Sequence, residues 1–319
     1  MIALIQLVSL LAFSTCLAMD FKPPQPAEVM HAIGRTDSLP VTFQRALSPG
    51  KDFIPVPVPK SGDWLAVHHE TGQTFADFVA AQPDKPDRRR NKIYIQPLGQ
   101  FAEDRSPPLE MLQAFGAAYF VMDVAILPAV TITGSEITIR TNSFSGKRQL
   151  LTGDVLILLQ QRLPADAFCL MAITMEDLYP HPSWNFVFGQ ASPKKRVGVF
   201  SFARYDPAFY GEERRKDYQT ILLRRSCRVL VHEMAHMFSL AHCIFFSCVM
   251  NGSNHLQESE ARPLSLCPVC LRKLQFSIGF DVVDRYRALL LFYQKAGLDH
   301  EAKWVSSRLK TILADDQER

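Results

Sequence analysis

Charge of one sign is what this sequence has least of. Thirty-five lysines and arginines face 32 aspartates and glutamates, a formal net charge of +3 over 319 residues. Proteins that hold nucleic acid displace counterions with a dense basic face. So small an excess, with no basic aromatic face, speaks against that partner. The one basic run, Arg88-Arg89-Arg90 with Lys92, sits at the end of the Pro- and Asp-rich stretch PDKPDRRRN and reads as a solvated linker. Internal repeats are absent, which removes solenoids and propellers. After residue 18 no run is long and apolar enough for a transmembrane helix. Lys and Arg are also missing before Lys22, so the leading stretch MIALIQLVSLLAFSTCLA has no basic start. It reads as a signal-like leader ending near Ala18, as an anchor close to the minimum span, or as sequence ahead of a working start at Met19.

What is present is ordinary globular material. Apolar residues make up 47% and charged residues 21%. Four segments follow from composition: a leader at 1–18, an N-terminal extension and linker at 19–91, a main domain at 92–290, and a helical tail at 291–319. KIYIQPLG at 92–99 reads as a short strand. LEMLQAFGAAYF at 109–120 has helical spacing. VTITGSEITIR at 130–140 alternates around a turn signal and reads as strand or hairpin. TGDVLILLQQRL at 152–163 opens with a Thr cap and an Asp in its first turn, so a helix is expected. DAFCLMAITMEDL at 166–178 reads as a buried strand. WNFVFGQASPKKRVGVFSFAR at 184–204 reads as two strands about a Pro-Lys-Lys turn. YQTILLRRSCRVLVHEMAHMF at 218–238 reads as one long helix, and further helices follow to the C-terminus.

That long helix carries His232, Glu233 and His236, an H-E-x-x-H motif. Residues four apart lie on one helix face, so two imidazoles can grip one ion. Glu233 stands beside the first of them, within reach of a metal-bound water. That is the arrangement of a zinc hydrolase. His242 comes six residues after His236, and the chain must turn for it to meet the same metal. The longer H-E-x-x-H-x-x-G-x-x-H pattern puts Gly at that turn, where this chain has Ser239. Ser in a left-handed turn costs on the order of 1 kcal/mol or more. Two other readings stay open: a buried helix with incidental histidines, and a third ligand drawn from Glu258 or Glu260.

Seven cysteines must be placed. Cys16 is in the leader, and Cys169 and Cys227 sit in apolar runs as buried thiols. Cys243, Cys248, Cys267 and Cys270 cluster, and C-x-x-C in a chain this large favours metal over disulfides. Four thiolates suit a closed, structural zinc. The other reading is four buried thiols. Adjacent side chains of an extended chain point to opposite sides. His242 and Cys243 can therefore serve two different metals. Met250, after the third histidine, stands where an apolar, polarizable floor would lie.

The run from His232 to Cys270 resembles the archaemetzincins, zinc peptidases of the metzincin clan. KIYIQPLG, AITMEDLYP, WNFVFGQAS and VGVFSFARY resemble the same family, so the likeness covers roughly residues 92–290. The resemblance implies an α+β, metzincin-like zincin fold: a twisted mixed β-sheet over an active-site helix, with a helical C-terminal part. It implies a metallopeptidase, aminopeptidase-like, acting on peptides or proteins. It implies two zinc ions, one catalytic on His232, His236 and His242 with Glu233 as general base, and one structural on Cys243, Cys248, Cys267 and Cys270. Met250 would be the Met-turn residue. An edge strand from residues 186–202 would bind peptide by strand addition. Ser239 keeps a second function in view, a catalytically weakened two-zinc peptide-binding protein. The family implies a cytoplasmic or nuclear place, whereas a working leader implies secretion and membrane association only if it is retained. Asn251-Gly252-Ser253 is an N-glycosylation sequon beside the catalytic floor, which favours the cytosol with Met19 as the start.

Overall fold

The computed structural model describes residues 21–314. The leader at 1–18, Cys16 and the alternative start at Met19 lie outside them. Four short helices come first: α1 (Pro26–Ile33), α2 (Val41–Leu47), α3 (Trp64–Val67) and α4 (Phe75–Ala80). The centre of the fold is β5 (Ala167–Thr174), in which every residue is buried. An unbroken apolar strand must be covered on both faces. Cys169, Met171 and Ile173 enter one core cluster, while Leu170 and Ala172 enter the other.

β5 is the middle strand of a five-stranded sheet. It pairs in parallel with β1 (Lys92–Leu98) and β8 (Val197–Ser201). β1 pairs in parallel with β2 (Asp123–Ile126), and β7 (Gly189–Ser192) runs antiparallel to β8. The order β2-β1-β5-β8-β7 leaves β7 with an open edge. β3 (Ile139–Thr141), β4 (Arg148–Leu151) and β6 (Asp177–Tyr179) form a second, smaller sheet. Parallel neighbours need crossovers. α5 (Leu109–Phe120) links β1 to β2, and α6 (Thr152–Arg162) precedes β5. α6 covers the face of Leu170 and Ala172, whereas α5 and α7 (Tyr218–Met237) cover the other. The architecture is α+β with a mixed sheet over one long helix, as the sequence led us to expect.

Three local expectations needed adjustment. Residues 131–138 form no strand: Val130 makes one isolated bridge to Leu98, and the hairpin is β3 with β4. Thr152 is not the cap of α6. That position is Leu151, and the Thr152 hydroxyl bonds the Tyr179 carbonyl and Gln190 instead. The run 166–178 is split, because β5 ends at Thr174 and β6 joins the second sheet.

The helices after α7 are α8 (Leu256–Glu260), α9 (Pro268–Ile278), α10 (Val282–Lys295) and α11 (Asp299–Leu313). Apolar residues of α1, α2 and α4, including Ile33, Phe43, Leu47 and Phe78, share one core with α9, α10 and α11. Buried cations fasten the two ends of the chain. Arg308 of α11, 1% exposed, donates to the carbonyls of Arg45 and Ala46 at the end of α2 and pairs with Asp52 at 2.7 Å. Arg272 of α9 bonds the Ile33 and Arg35 carbonyls at the end of α1. A guanidinium at a helix C-terminus meets the negative end of its dipole and its unpaired carbonyls. Among the described residues no helix is long and apolar enough to cross a membrane.

Candidate metal centres

α7 builds the first centre. Its second half is buried nearly all round, through Val229, Leu230, Val231, Met234, Ala235 and Met237. His232, Glu233 and His236 occupy the remaining stripe and line a cleft of about 910 Å³. The helix then stops in a Schellman motif. Ser239 donates its N–H to the His236 carbonyl at 3.0 Å and Leu240 donates to the Ala235 carbonyl at 3.3 Å. Ser239 sits at φ +66°, the left-handed conformation that usually falls to glycine. Its hydroxyl accepts the Asp84 N–H at 3.2 Å, a bond glycine cannot make. The turn sends His242 back towards α7.

The three imidazoles converge. Ring centroids of His242 lie 5.2 Å from those of His232 and His236. The Nε2 atoms of His232 and His236 are 3.2 Å apart. Two nitrogens on a tetrahedral zinc, each at ~2.0–2.1 Å, would stand ~3.3–3.4 Å apart. Each Nδ1 is engaged elsewhere: His232 with the Val249 carbonyl at 2.9 Å, His236 with the Leu240 carbonyl at 2.7 Å, His242 with Glu70 Oε1 at 2.7 Å. Acceptors at Nδ1 fix the tautomer that leaves every Nε2 lone pair free. Burial, with the neighbouring histidines, holds His232 well below the usual imidazole range and brings His236 to about 4. Both are neutral, as ligation requires. The donor set, its spacing and its protonation all fit zinc.

Glu233 lies on the other side of the histidines, against the sheet edge. A Cβ on Gly189 of β7 would stand 3.2 Å from the Glu233 carboxyl carbon, so the glycine lets strand and carboxylate approach. Burial alone raises the Glu233 carboxyl to about 8. Trp64, Asp84, Trp184, Phe186 and Arg262 complete the cleft walls. Glu258 and Glu260, weighed as third ligands, are engaged elsewhere. Glu258 accepts from the backbone N–H groups of Trp64 and Asn254, and Glu260 pairs with Arg225.

The second centre begins one residue after His242. The sulfurs of Cys243, Cys248, Cys267 and Cys270 all lie within 4.8 Å of one another, and all four are buried. None is in a disulfide. The Cys243 and Cys267 sulfurs are 3.6 Å apart, against ~3.8 Å for two thiolates on a tetrahedral zinc. Cys267 is the N-cap of α9 and Cys270 lies in its first turn, where burial and the neighbouring thiols hold both well above the usual thiol range and a bound cation would be needed to keep them as thiolates. Backbone N–H groups of Met250 and Cys267 point at Cys248 Sγ, at 3.5 and 3.3 Å. Burial opposes ionisation of Cys243, but the other three thiols outweigh it and hold Cys243 well below the usual range. Asn251 staples the loop. Its Nδ2 donates to the Cys243 and Phe246 carbonyls at 2.7 and 2.9 Å, and its Oδ1 accepts the Cys248 N–H. The sequon asparagine therefore uses its amide inside the fold. Met250 is fully buried, and its carbonyl accepts the Cys243 N–H at 2.8 Å. Cys169 and Cys227 are buried in the main core, far from either cluster in role: burial raises both thiols.

Sequence reasoning missed Glu70, Trp64, Gln73 and Asp84. All lie in the Pro-rich segment without periodicity, and no local pattern links them to a turn more than 150 residues later. Burial opposes ionisation of Glu70, but the hydrogen bonds from His242 and Trp64, with the nearby histidine charges, together outweigh it and hold the carboxyl below its usual range.

Comparison with known proteins agrees with this picture. The model of peptidase family M54 matches residues 128–276. Archaemetzincin-2 of Macaca fascicularis is 40% identical over 278 residues, covering 78% of this chain and 77% of the relative. Human archaemetzincin-1 is 33% identical over 259 residues, covering 73% of this chain and 52% of the relative. The crystal structure of an archaemetzincin from Archaeoglobus fulgidus, complexed with malonate, aligns with a TM-score of 0.44 and 27% identity. It covers 57% of this chain and 99% of that one. On identity and coverage alike, the chain belongs to the archaemetzincin family of zinc metallopeptidases.

Proposed function

We propose that His232, His236 and His242 hold a catalytic zinc, that Glu233 is the general base for peptide hydrolysis, and that the four cysteines hold a second, structural zinc. The observation that carries this reading is the convergence of His232 and His236 Nε2 at 3.2 Å, with every histidine Nδ1 tied off. Zinc bound there supplies Lewis acidity to the scissile carbonyl and lowers the pKa of water. Glu233 takes the proton from the attacking water and returns it to the leaving amine. Its place between the histidines and Gly189 of β7 fits both transfers, because a peptide lying along β7 would present its carbonyl there. The open edge of β7 offers backbone hydrogen bonds to an extended peptide, an addition of one antiparallel strand. Met250, buried after the third histidine, would be the Met-turn residue of this reading. An aminopeptidase-like preference is part of this reading.

Ser239 supports the enzyme reading over the weakened one. The turn takes the left-handed geometry that glycine would give, and the third histidine reaches the other two.

Zinc content and cleavage test the proposal together. Wild type is expected to hold two zinc ions and to cleave peptides. Glu233→Gln is expected to keep both ions and to lose at least about 100-fold in kcat/KM. Aminoacyl fluorophores against N-blocked peptides separate aminopeptidase from endopeptidase action. Two zinc ions with no cleavage across a broad peptide library would sink the catalytic reading, as would a fully active Glu233→Gln.

A further inference from the structure

We propose that Glu70 is a positioning residue of the histidine zinc centre, and that it makes the segment 64–84 part of the active site. The inference rests on the zinc reading of His232, His236 and His242.

The three histidines are not anchored alike. His232 and His236 stand on a rigid helix, and their Nδ1 partners are carbonyls of the motif's own region. His242 stands on a loop, and its Nδ1 partner is a carboxylate 172 residues earlier. That carboxylate is itself held. Trp64 Nε1 donates to the same Glu70 oxygen at 2.6 Å, so the anion accepts from indole and imidazole together. The Trp64 ring packs edge-on to His242, with centroids 5.1 Å apart, and His68 stacks on its face at 3.8 Å. Gly252 permits this approach, since a Cβ there would fall 2.3 Å from the indole.

The rest of the turn is gripped from the same segment. Gln73 Nε2 donates to the Ser239 carbonyl at 3.3 Å, and Gln73 Oε1 accepts the Ala241 N–H at 3.1 Å. Asp84 N–H meets the Ser239 hydroxyl. Lys273 of α9 holds Gln73 in turn. Residues 239, 241 and 242 are thus each bonded to 70–84. A loop ligand must lose conformational freedom when it binds metal. These bonds remove that freedom in advance, and the carboxylate orients His242 and offsets the cation's charge. Carboxylate–histidine–zinc relays of this kind alter metal affinity by about 10–100-fold. Glu70 lies well ahead of residue 128, where the family match begins.

The test uses the full chain as wild type, Glu70→Gln and Glu70→Ala. Zinc stoichiometry, zinc affinity by competition with a chromophoric chelator, and the visible spectrum of the cobalt-substituted protein are read alongside thermal melting. Wild type should hold two zinc ions. Glu70→Ala should keep the cysteine-held ion and bind the other about 10–100-fold more weakly, with a changed cobalt spectrum. Glu70→Gln keeps an oxygen for both N–H donors but loses the charge, so it should fall between, and it carries the test if the alanine variant does not fold. Excess zinc should restore kcat in both. Wild-type zinc affinity and cobalt spectrum in a folded Glu70→Gln and Glu70→Ala would overturn the proposal alone. A wild type holding one zinc would overturn the zinc reading beneath it.

Discussion

Replacing Ser239 by the motif's usual glycine should change little, and the structure says why. The left-handed backbone at φ +66° costs a serine about 1 kcal/mol that glycine would not incur. The serine recovers a bond that glycine cannot make, from Asp84 N–H to the hydroxyl. An exposed bond of 3.2 Å contributes about 0.5–1 kcal/mol, the weaker part of the usual span. The two terms nearly cancel, so Ser239→Gly should fall within about 0.5 kcal/mol of wild type, on the difference of those estimates. Ser239→Ala keeps the strain and loses the bond, and should be about 0.5–1 kcal/mol less stable. Ser239→Val places a β-branched residue in the left-handed region and should cost about 2 kcal/mol or more, loosening His242 as well. Urea melts of the four proteins, with kcat/KM on one peptide, measure all three. A rise of tenfold in kcat/KM for Ser239→Gly, about 1.4 kcal/mol, would refute the compensation. It would mean that the serine really does hold the turn in a poor geometry.

Two further perturbations follow from the same region. Cys267→Ser removes a thiolate from the four-cysteine cluster while leaving a good capping residue at the start of α9. Zinc content should fall by one ion, and a loss of roughly 3 kcal/mol should lower Tm by about 6–12 °C. An unchanged zinc count would show that Cys267 is not needed to hold a metal there. Gly252→Ala drives a methyl into the Trp64 indole and should break its bond to Glu70. Overpacking of this kind costs about 1–3 kcal/mol, and the histidine-held zinc should exchange faster as well. A melt and a chelator-competition curve matching wild type would show that Trp64 moves aside without consequence.

Much of this was legible because it repeats at short range. H-E-x-x-H lies on one helix, and β5 betrays itself by seven residues with no polar interruption before Thr174. The Pro-Lys-Lys turn between β7 and β8 is equally local, with Arg196 taking the left-handed step. Adjacent His242 and Cys243 already separated two ligand sets. Failures came where distant partners override local preference. VTITGSEITIR alternates like a strand, yet from 131 to 138 no neighbouring strand pairs with it. Thr152 has a cap's side chain, but tertiary partners at Tyr179 and Gln190 claim it. The helices α1 to α4 are four to eight residues long, too short to leave a periodic trace. The ends of α1 and α2 are held by Arg272 and Arg308 from much later in the chain. Glu70 escaped for the same reason, since nothing near it in sequence links it to the imidazole of His242, 172 residues later.

The single peptide bond between His242 and Cys243 has a thermodynamic consequence. On the proposed two-zinc reading, one set of backbone angles must suit two ions at once, so the two occupancies would be linked. Zinc held by sulfur fixes the chain at Cys243, and much of the ordering that His242 needs is then already done. Reciprocity requires that zinc held by nitrogen tighten the sulfur cluster by the same factor. The two sites should therefore fill cooperatively, each ion raising the affinity of the other. Loss of either ion would then loosen the other.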